Sequence, residues 1–217
     1  MIKISPSLLA ADCANFAGAI ESLEGKADML HFDVMDGHFV PNISFGVPVC
    51  ASIAKRFDIP LDVHLMITNP SKYVESFAKS GASIVVFHAE VEEDLGAVVD
   101  LIKNCKVKCG IALKPKTDYK VILPYLDKLD MILQMLVEPG FGGQAMDPSG
   151  LNNIKCLRTI YNGDIQVDGG VTADNIEEIA ATGANVFVAG TAVFKDPNPA
   201  DAVERLRAIA KRGVREL

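Results

Sequence analysis

Short apolar stretches and amphipathic stretches alternate eight times along the 217-residue chain, and this order restricts the fold more than any other feature. The strand-like stretches are residues 3–7, 29–34, 61–65, 84–88, 108–113, 131–137, 165–167 and 186–189. They are rich in Val and Ile, as strands are when helices cover both faces of a parallel sheet. Helical patterns fall between them, at 14–23, 48–56, 71–79, 95–104, 119–126, 151–160, 175–181 and 199–211. Capping residues mark several starts: Asp12, Asn69 before Pro70, Thr117 and Asp118, Thr172, and Asn198 before Pro199. This alternation defines an α/β class whose closed form is the (β/α)8 TIM barrel with a parallel eight-stranded core. The rival is an open doubly wound sheet, but no early glycine-rich turn marks a dinucleotide site. A weak repeat agrees with the count: Ser80-Gly81-Ala82-Ser83-Ile84 resembles Thr182-Gly183-Ala184-Asn185-Val186, each with a glycine ending a helix before a strand. No linker or charge block divides residues 1–217, which read as a single domain.

The bulk chemistry excludes several classes of partner. A net charge of −7 works against nucleic acid, because phosphate backbones call for a dense basic face. Lys55-Arg56 and Lys211-Arg212 are short basic pairs suited to helix ends. No apolar run approaches the roughly 20 residues of a membrane span. No basic leader precedes an apolar core at the start, so a cytoplasmic protein is expected. The five cysteines are scattered and fit reduced, partly buried thiols. An anionic substrate must then be held by local amide groups rather than by the field of the whole molecule.

A barrel of this kind carries its active site at the C-terminal ends of its strands, so polar residues there are the candidates. The first strand ends in Ser7. The second supplies His31 and Asp33, two apart and therefore on one face. The third supplies His64, and the seventh supplies Asp168 before Gly169-Gly170. Alone, each has a structural explanation: His64 as a buried, hydrogen-bonded histidine, Asp168 as a turn residue. Together, two imidazoles and two carboxylates from three strand ends describe a divalent-metal site. Mixed nitrogen and oxygen donors suit zinc, iron(II), manganese or cobalt better than magnesium or calcium. No organic cofactor is implied. Asp62 is assigned to the face away from His64, with a structural role, while His38 and His88 receive no role.

Glycine-rich turns follow three neighbouring strands: Pro139-Gly140-Phe141-Gly142-Gly143-Gln144, Asp168-Gly169-Gly170 and Ala189-Gly190-Thr191. Such turns let backbone N–H groups close on an anion, and barrels commonly place a phosphate there. Met35, Met66 and Met135 sit at the ends of strands on the site side, and three thioethers suggest a soft, water-poor lining.

With these residues assembled, the sequence resembles the ribulose-phosphate 3-epimerase family. The resemblance runs from Ile4-Ser5-Pro6-Ser7 to Ala189-Gly190-Thr191-Ala192-Val193-Phe194. It is carried by the run from His31 through Asn42, by Asp62-Val63-His64-Leu65-Met66, by the glycine turn 139–144, and by Val167-Asp168-Gly169-Gly170-Val171. It implies that His31, Asp33, His64 and Asp168 bind a divalent metal, and that Asp33 and Asp168 exchange protons with the substrate. Ser7, the Gly140–Gly143 turn with Phe141 and Gly142, Asp168 to Gly170, and Gly190 with Thr191 are then the sugar-phosphate contacts. It further implies a homo-oligomer acting on a small sugar phosphate. Leu136, Thr191 and the run Ala145-Met146-Asp147-Pro148 depart from the family pattern; Thr191 keeps a hydroxyl, while Leu136 and the run after Gln144 bear on substrate preference. The competing readings are an epimerase of the same chemistry for allulose 6-phosphate, and a barrel that binds metal and sugar phosphate without converting it.

Overall fold

The computed structural model describes residues 1–214. Eight parallel strands form one sheet: β1 (Lys3–Pro6), β2 (Leu30–Met35), β3 (Leu61–Met66), β4 (Ala82–His88), β5 (Lys108–Leu113), β6 (Met131–Met135), β7 (Asp164–Asp168) and β8 (Val186–Ala189). The strand order is β1-β8-β7-β6-β5-β4-β3-β2, and a single parallel bridge between Ser7 and His31 joins the two ends into a barrel. The helices are α1 (Phe16–Glu21), α2 (Val47–Arg56), α3 (Val74–Lys79), α4 (Leu95–Asn104), α5 (Leu151–Ile160), α6 (Ile176–Ala181), α7 (Thr191–Phe194) and α8 (Pro199–Val214). The two repeated segments do the same job, carrying α3 into β4 and α6 into β8.

Local chemistry accounts for most element ends. Asp12, Asn15 and Asp94 accept backbone N–H groups at helix starts, while Asn69 occupies a cap position without making a side-chain bond. Lys55-Arg56 and Lys211-Arg212 fall in the last turns of α2 and α8, where cations suit the helix dipole. The helix expected at 119–126 is instead a 3-10 stretch, Tyr119–Lys128, with Pro124 inside it. Proline lacks the N–H that an α-helical bond needs and clashes with the preceding turn. The segment expected as one helix at 14–23 divides into a 3-10 turn, Cys13–Asn15, and the short α1. The four-residue α7 after β8 was not expected.

The main apolar core lies between the strands and the helices, with Phe32, Phe77, Phe87 and Phe187 among its largest fully buried side chains. Alternation along each strand sends the other set of side chains into the barrel. That interior is chemically divided. On β4 to β6 it is mostly apolar, with Ile84, Val86, Ala112, Met131, Leu133 and Met135 forming a separate cluster and His88 at the end of β4 the exception. Most of the polar side chains buried inside the barrel, Ser5, His31, Asp33, Asp62, His64 and Gln166, come from β1, β2, β3 and β7. The site is built on that polar side.

Candidate active site

The β2–β3 register sets the site. His31 pairs with Asp62, Asp33 with His64, and Met35 with Met66. Paired positions in a parallel ladder share a face, so two rows of polar side chains enter the barrel side by side. Met135 pairs with Asp168 in the same way on β6 and β7. This overturns the assignment of Asp62 to the face away from His64. The two are separated by one residue on one strand, and the period of two puts them on the same side.

Four side chains named from the sequence converge. One donor atom from each of His31, Asp33, His64 and Asp168 lies within 4.8 Å of all the others. His31 Nε2 stands 3.2 Å from Asp33 Oδ1, 3.3 Å from His64 Nδ1 and 3.8 Å from Asp168 Oδ2. His64 Nδ1 is 3.2 Å from the same Asp33 oxygen. Two imidazole nitrogens and two carboxylate oxygens in this space fit a divalent cation of the zinc, iron(II), manganese or cobalt type.

The electrostatics separate the two aspartates. Burial alone would raise Asp33, but the His31 and His64 imidazoles outweigh it and hold the carboxyl well below its usual range. Asp168 is pushed up to about 7, by burial first and then by Asp33 and Asp62, against the pull of His31. Burial works against a charge on His31, yet Asp33 and Asp62 overcome it and raise its pKa. His64 is lowered, by burial and by the charge of His31, with Asp33 opposing.

Behind these four lie residues that the sequence reading missed. Asp62 takes His31 Nδ1 at 2.8 Å and the Gln166 amide at 2.5 Å. His88, left without a role, meets His64, and its pKa is pushed down to about 4 by burial, against the hydrogen bond it makes to Glu90. Period-two alternation places Asp62 beside His64, and it also carries His88 inward from β4. Ser5 Oγ, Asp62 Oδ1 and Gln166 Oε1 are buried and make no hydrogen bond to protein atoms among the described residues.

Above the cluster opens a cleft of about 680 Å³. It is lined by Ser7, Asp33, the three methionines Met35, Met66 and Met135, Asp168, and the turns Gly140–Gly143, Gly169-Gly170 and Gly190-Thr191. His31 and His64 are fully buried beneath it. The methionines are 1–5% exposed and cover the floor with thioethers. Gly169 and Gly170 have φ of +114° and +65°, a region that side-chain-bearing residues avoid. A Cβ on Gly170 would stand 2.8 Å from the Met146 backbone nitrogen, so chain 144–146 packs directly on the turn. The Gln144 amide donates to the Glu138 and Phe141 carbonyls, and Asn42 donates to the Gly140 carbonyl, which ties the third turn down. Lys195, also missed in the sequence, brings a cation to the same rim. Leu136 lies away from the cleft, fully buried in the main core, whereas Ala145 and Met146 line the cleft.

A parallel barrel with a His2Asp2 group at the floor of a glycine-rimmed cleft, three of its members buried and Asp168 half-buried, is an enzyme scaffold of the (β/α)8 type, open to small molecules at its C-terminal face. The model of the Ribulose-phosphate 3 epimerase family matches residues 3–194. Ribulose-phosphate 3-epimerase of Mycobacterium bovis is 43% identical over 209 residues, covering 94% of this chain and 91% of that protein. The Bacillus subtilis protein of the same name is 42% identical over 214 residues, 95% of this chain and 99% of that one. The chain belongs to the ribulose-phosphate 3-epimerase family, and is an isomerase of the epimerase class. Among solved structures, KGPDC from Streptococcus mutans superposes with a TM-score of 0.75 at 15% identity, over 99% of this chain and 99% of that one. A 3-hexulose-6-phosphate synthase superposes with a TM-score of 0.70 at 16% identity, over 96% and 99%. Likeness at those identities speaks to the barrel alone.

Proposed function

We propose that this chain interconverts D-ribulose 5-phosphate and D-xylulose 5-phosphate by inverting the configuration at C3, with Asp33 and Asp168 as the two proton carriers. The observation that carries this reading is the convergence of both aspartates on the same pair of histidines at the floor of one cleft. Inversion next to a ketone removes a proton from one face of the carbon and returns one to the other. Two groups are needed, one acting as base while the other acts as acid. Asp33 comes from β2 and Asp168 from β7, so one can take the C3 proton while the other returns one. In the reverse direction the roles exchange.

His31 Nε2, His64 Nδ1 and one oxygen from each aspartate would hold a divalent cation, which supplies Lewis-acid stabilisation of the negative charge that develops on the substrate oxygens. The chain's own groups do the rest. Met35, Met66 and Met135 keep water from the planar enediolate of the sugar. Amides of the three glycine turns and the Lys195 ammonium receive the phosphate, which explains how an acidic protein takes an anionic substrate. Ser7 steers Asp33 through its hydroxyl. The names of the relatives favour the pentulose phosphate over allulose 6-phosphate. The test is turnover of both sugars by the purified, metal-loaded protein, with the C3 epimer identified directly. Production of xylulose 5-phosphate is expected. Binding of both sugars with no epimer formed would favour the non-converting barrel, and preference for the hexulose phosphate would reassign the substrate.

A further inference from the structure

His64 offers only one of its nitrogens to the cluster. Its Nδ1 faces Asp33 and His31, while its Nε2 stands 2.9 Å from Nε2 of His88, at the end of β4. His88 Nδ1 lies 3.0 Å from Glu90 Oε2. The other Glu90 oxygen accepts the Lys114 backbone N–H at 2.8 Å and the Thr117 hydroxyl at 2.5 Å. The contacts therefore leave the cluster on β3, pass across β4 and end on the segment after β5. His88 is fully buried, and Phe39 packs against its ring at 4.8 Å between centroids.

The anionic end sets every hydrogen-bond direction in this series. Glu90 is held as a carboxylate, at about 2, by the bonds from His88, Thr117 and Lys114 against the effect of its burial. A carboxylate only accepts, so His88 carries its proton on Nδ1. A neutral imidazole with Nδ1–H has a lone pair on Nε2, and only an N–H from His64 Nε2 can satisfy it. His64 is then the Nε2–H tautomer, and its lone pair sits on Nδ1, the atom directed at Asp33 and His31.

We propose that His88, Glu90 and Thr117 form a positioning relay that fixes the tautomer and ring orientation of His64, presenting its Nδ1 lone pair to the cation site. The relay rests on the metal reading given above and extends it to residues outside the ligand set. His31 gets the same service directly from Asp62, at 2.8 Å. His64 cannot, because its partner in the β3–β4 register is Val86, and the anion must be reached through a second imidazole. Groups behind a metal-bound histidine raise its basicity and hold its plane, and their loss typically weakens metal binding about 10–100-fold. A purely space-filling His88 would predict none of this.

The test measures Co(II) binding to the purified chain by competition with a chelator, with the visible Co(II) spectrum as a second readout. His88→Leu fills the space but leaves His64 Nε2–H without an acceptor. His88→Gln keeps an acceptor oxygen. Glu90→Gln sets an amide N–H against either the His88 or the Lys114 donor. The expected result is one Co(II) per wild-type chain, affinity about 10–100-fold weaker with an altered spectrum in His88→Leu and Glu90→Gln, and substantial recovery in His88→Gln. If His88→Leu does not fold, Glu90→Gln decides, since it conserves shape. Wild-type affinity and spectrum in the variants would overturn the relay alone. Failure of the wild-type chain to bind Co(II) would overturn both the relay and the metal reading.

Discussion

The Ser7 hydroxyl donates to Asp33 Oδ2 at 2.6 Å, tying the end of β1 to the carboxylate that lies deeper in the site. Oδ1 of the same aspartate faces both histidines at 3.2 Å, so its two oxygens have different partners. A hydrogen bond to a charged group contributes about 1.5–3 kcal/mol. Ser7→Ala leaves Oδ2 free to rotate away from the reacting carbon while the cluster keeps its other contacts. The expected outcome in steady-state kinetics on ribulose 5-phosphate is a kcat lower by about tenfold or more, with an unchanged circular dichroism spectrum. A kcat equal to wild type would remove Ser7 from the steering role.

Asp33→Asn and Asp168→Asn conserve shape and remove the base, so both variants should fold and lose epimerisation by about 10²–10⁴-fold. Their isotope behaviour should be complementary. With one aspartate left, only the epimer whose C3 proton faces that group can exchange it with solvent deuterium. Asp33→Asn should wash deuterium into one epimer and Asp168→Asn into the other, each without inversion, as read by NMR at C3. Exchange into the same epimer by both variants is incompatible with opposed carriers.

Much of this was readable in the sequence, for identifiable reasons. Burial of both strand faces leaves a strong apolar signal, so all eight strands were found, with ends displaced by a residue or two. His31, Asp33, His64 and Asp168 could be grouped because barrel geometry brings strand ends together, whatever their distance along the chain. What was missed depends on contacts between strands. Glu90 reaches the site only through His88, and Gln166 only through Asp62, so neither carries a local pattern. Asp62 is different: its period with His64 was available and was misapplied. Leu136 looked like a change in the site, but it follows Met135 on the alternate face and packs into the main core.

Acid stability should depend measurably on Asp36. Its carboxylate accepts the Thr68 N–H at 2.8 Å and hydroxyl at 2.9 Å, together with the His38 and Phe39 N–H groups at 2.8 Å each. These bonds outweigh its partial burial and hold it at about 2, below the ordinary 3.8. A group with a depressed folded pKa stabilises fully above its unfolded value, and that contribution fades as pH falls through the folded one. The window therefore runs from about 4 down to about 2. Asp36→Ala should lower Tm at neutral pH and flatten the Tm profile across that window. A parallel profile, merely shifted, would assign the acid limb to other carboxylates.

Removing the metal should separate stability from activity, because the two draw on different parts of the barrel. The main core lies between strands and helices and contains none of His31, Asp33, His64 or Asp168. It should therefore hold the fold when the cation is stripped by a chelator, and far-ultraviolet circular dichroism should be unchanged. Tm should fall all the same, since a ligand bound only by the folded state adds RT ln(1 + [L]/Kd), about 2.7 kcal/mol at 100 times Kd. Turnover should vanish with the metal and return on adding zinc, iron(II), manganese or cobalt in proportion to occupancy. Asp33→Asn should shift Tm less than wild type on the same addition, because one donor oxygen has lost its charge. Full turnover by protein verified as metal-free would leave the two aspartates as carriers and remove the cation from the reaction.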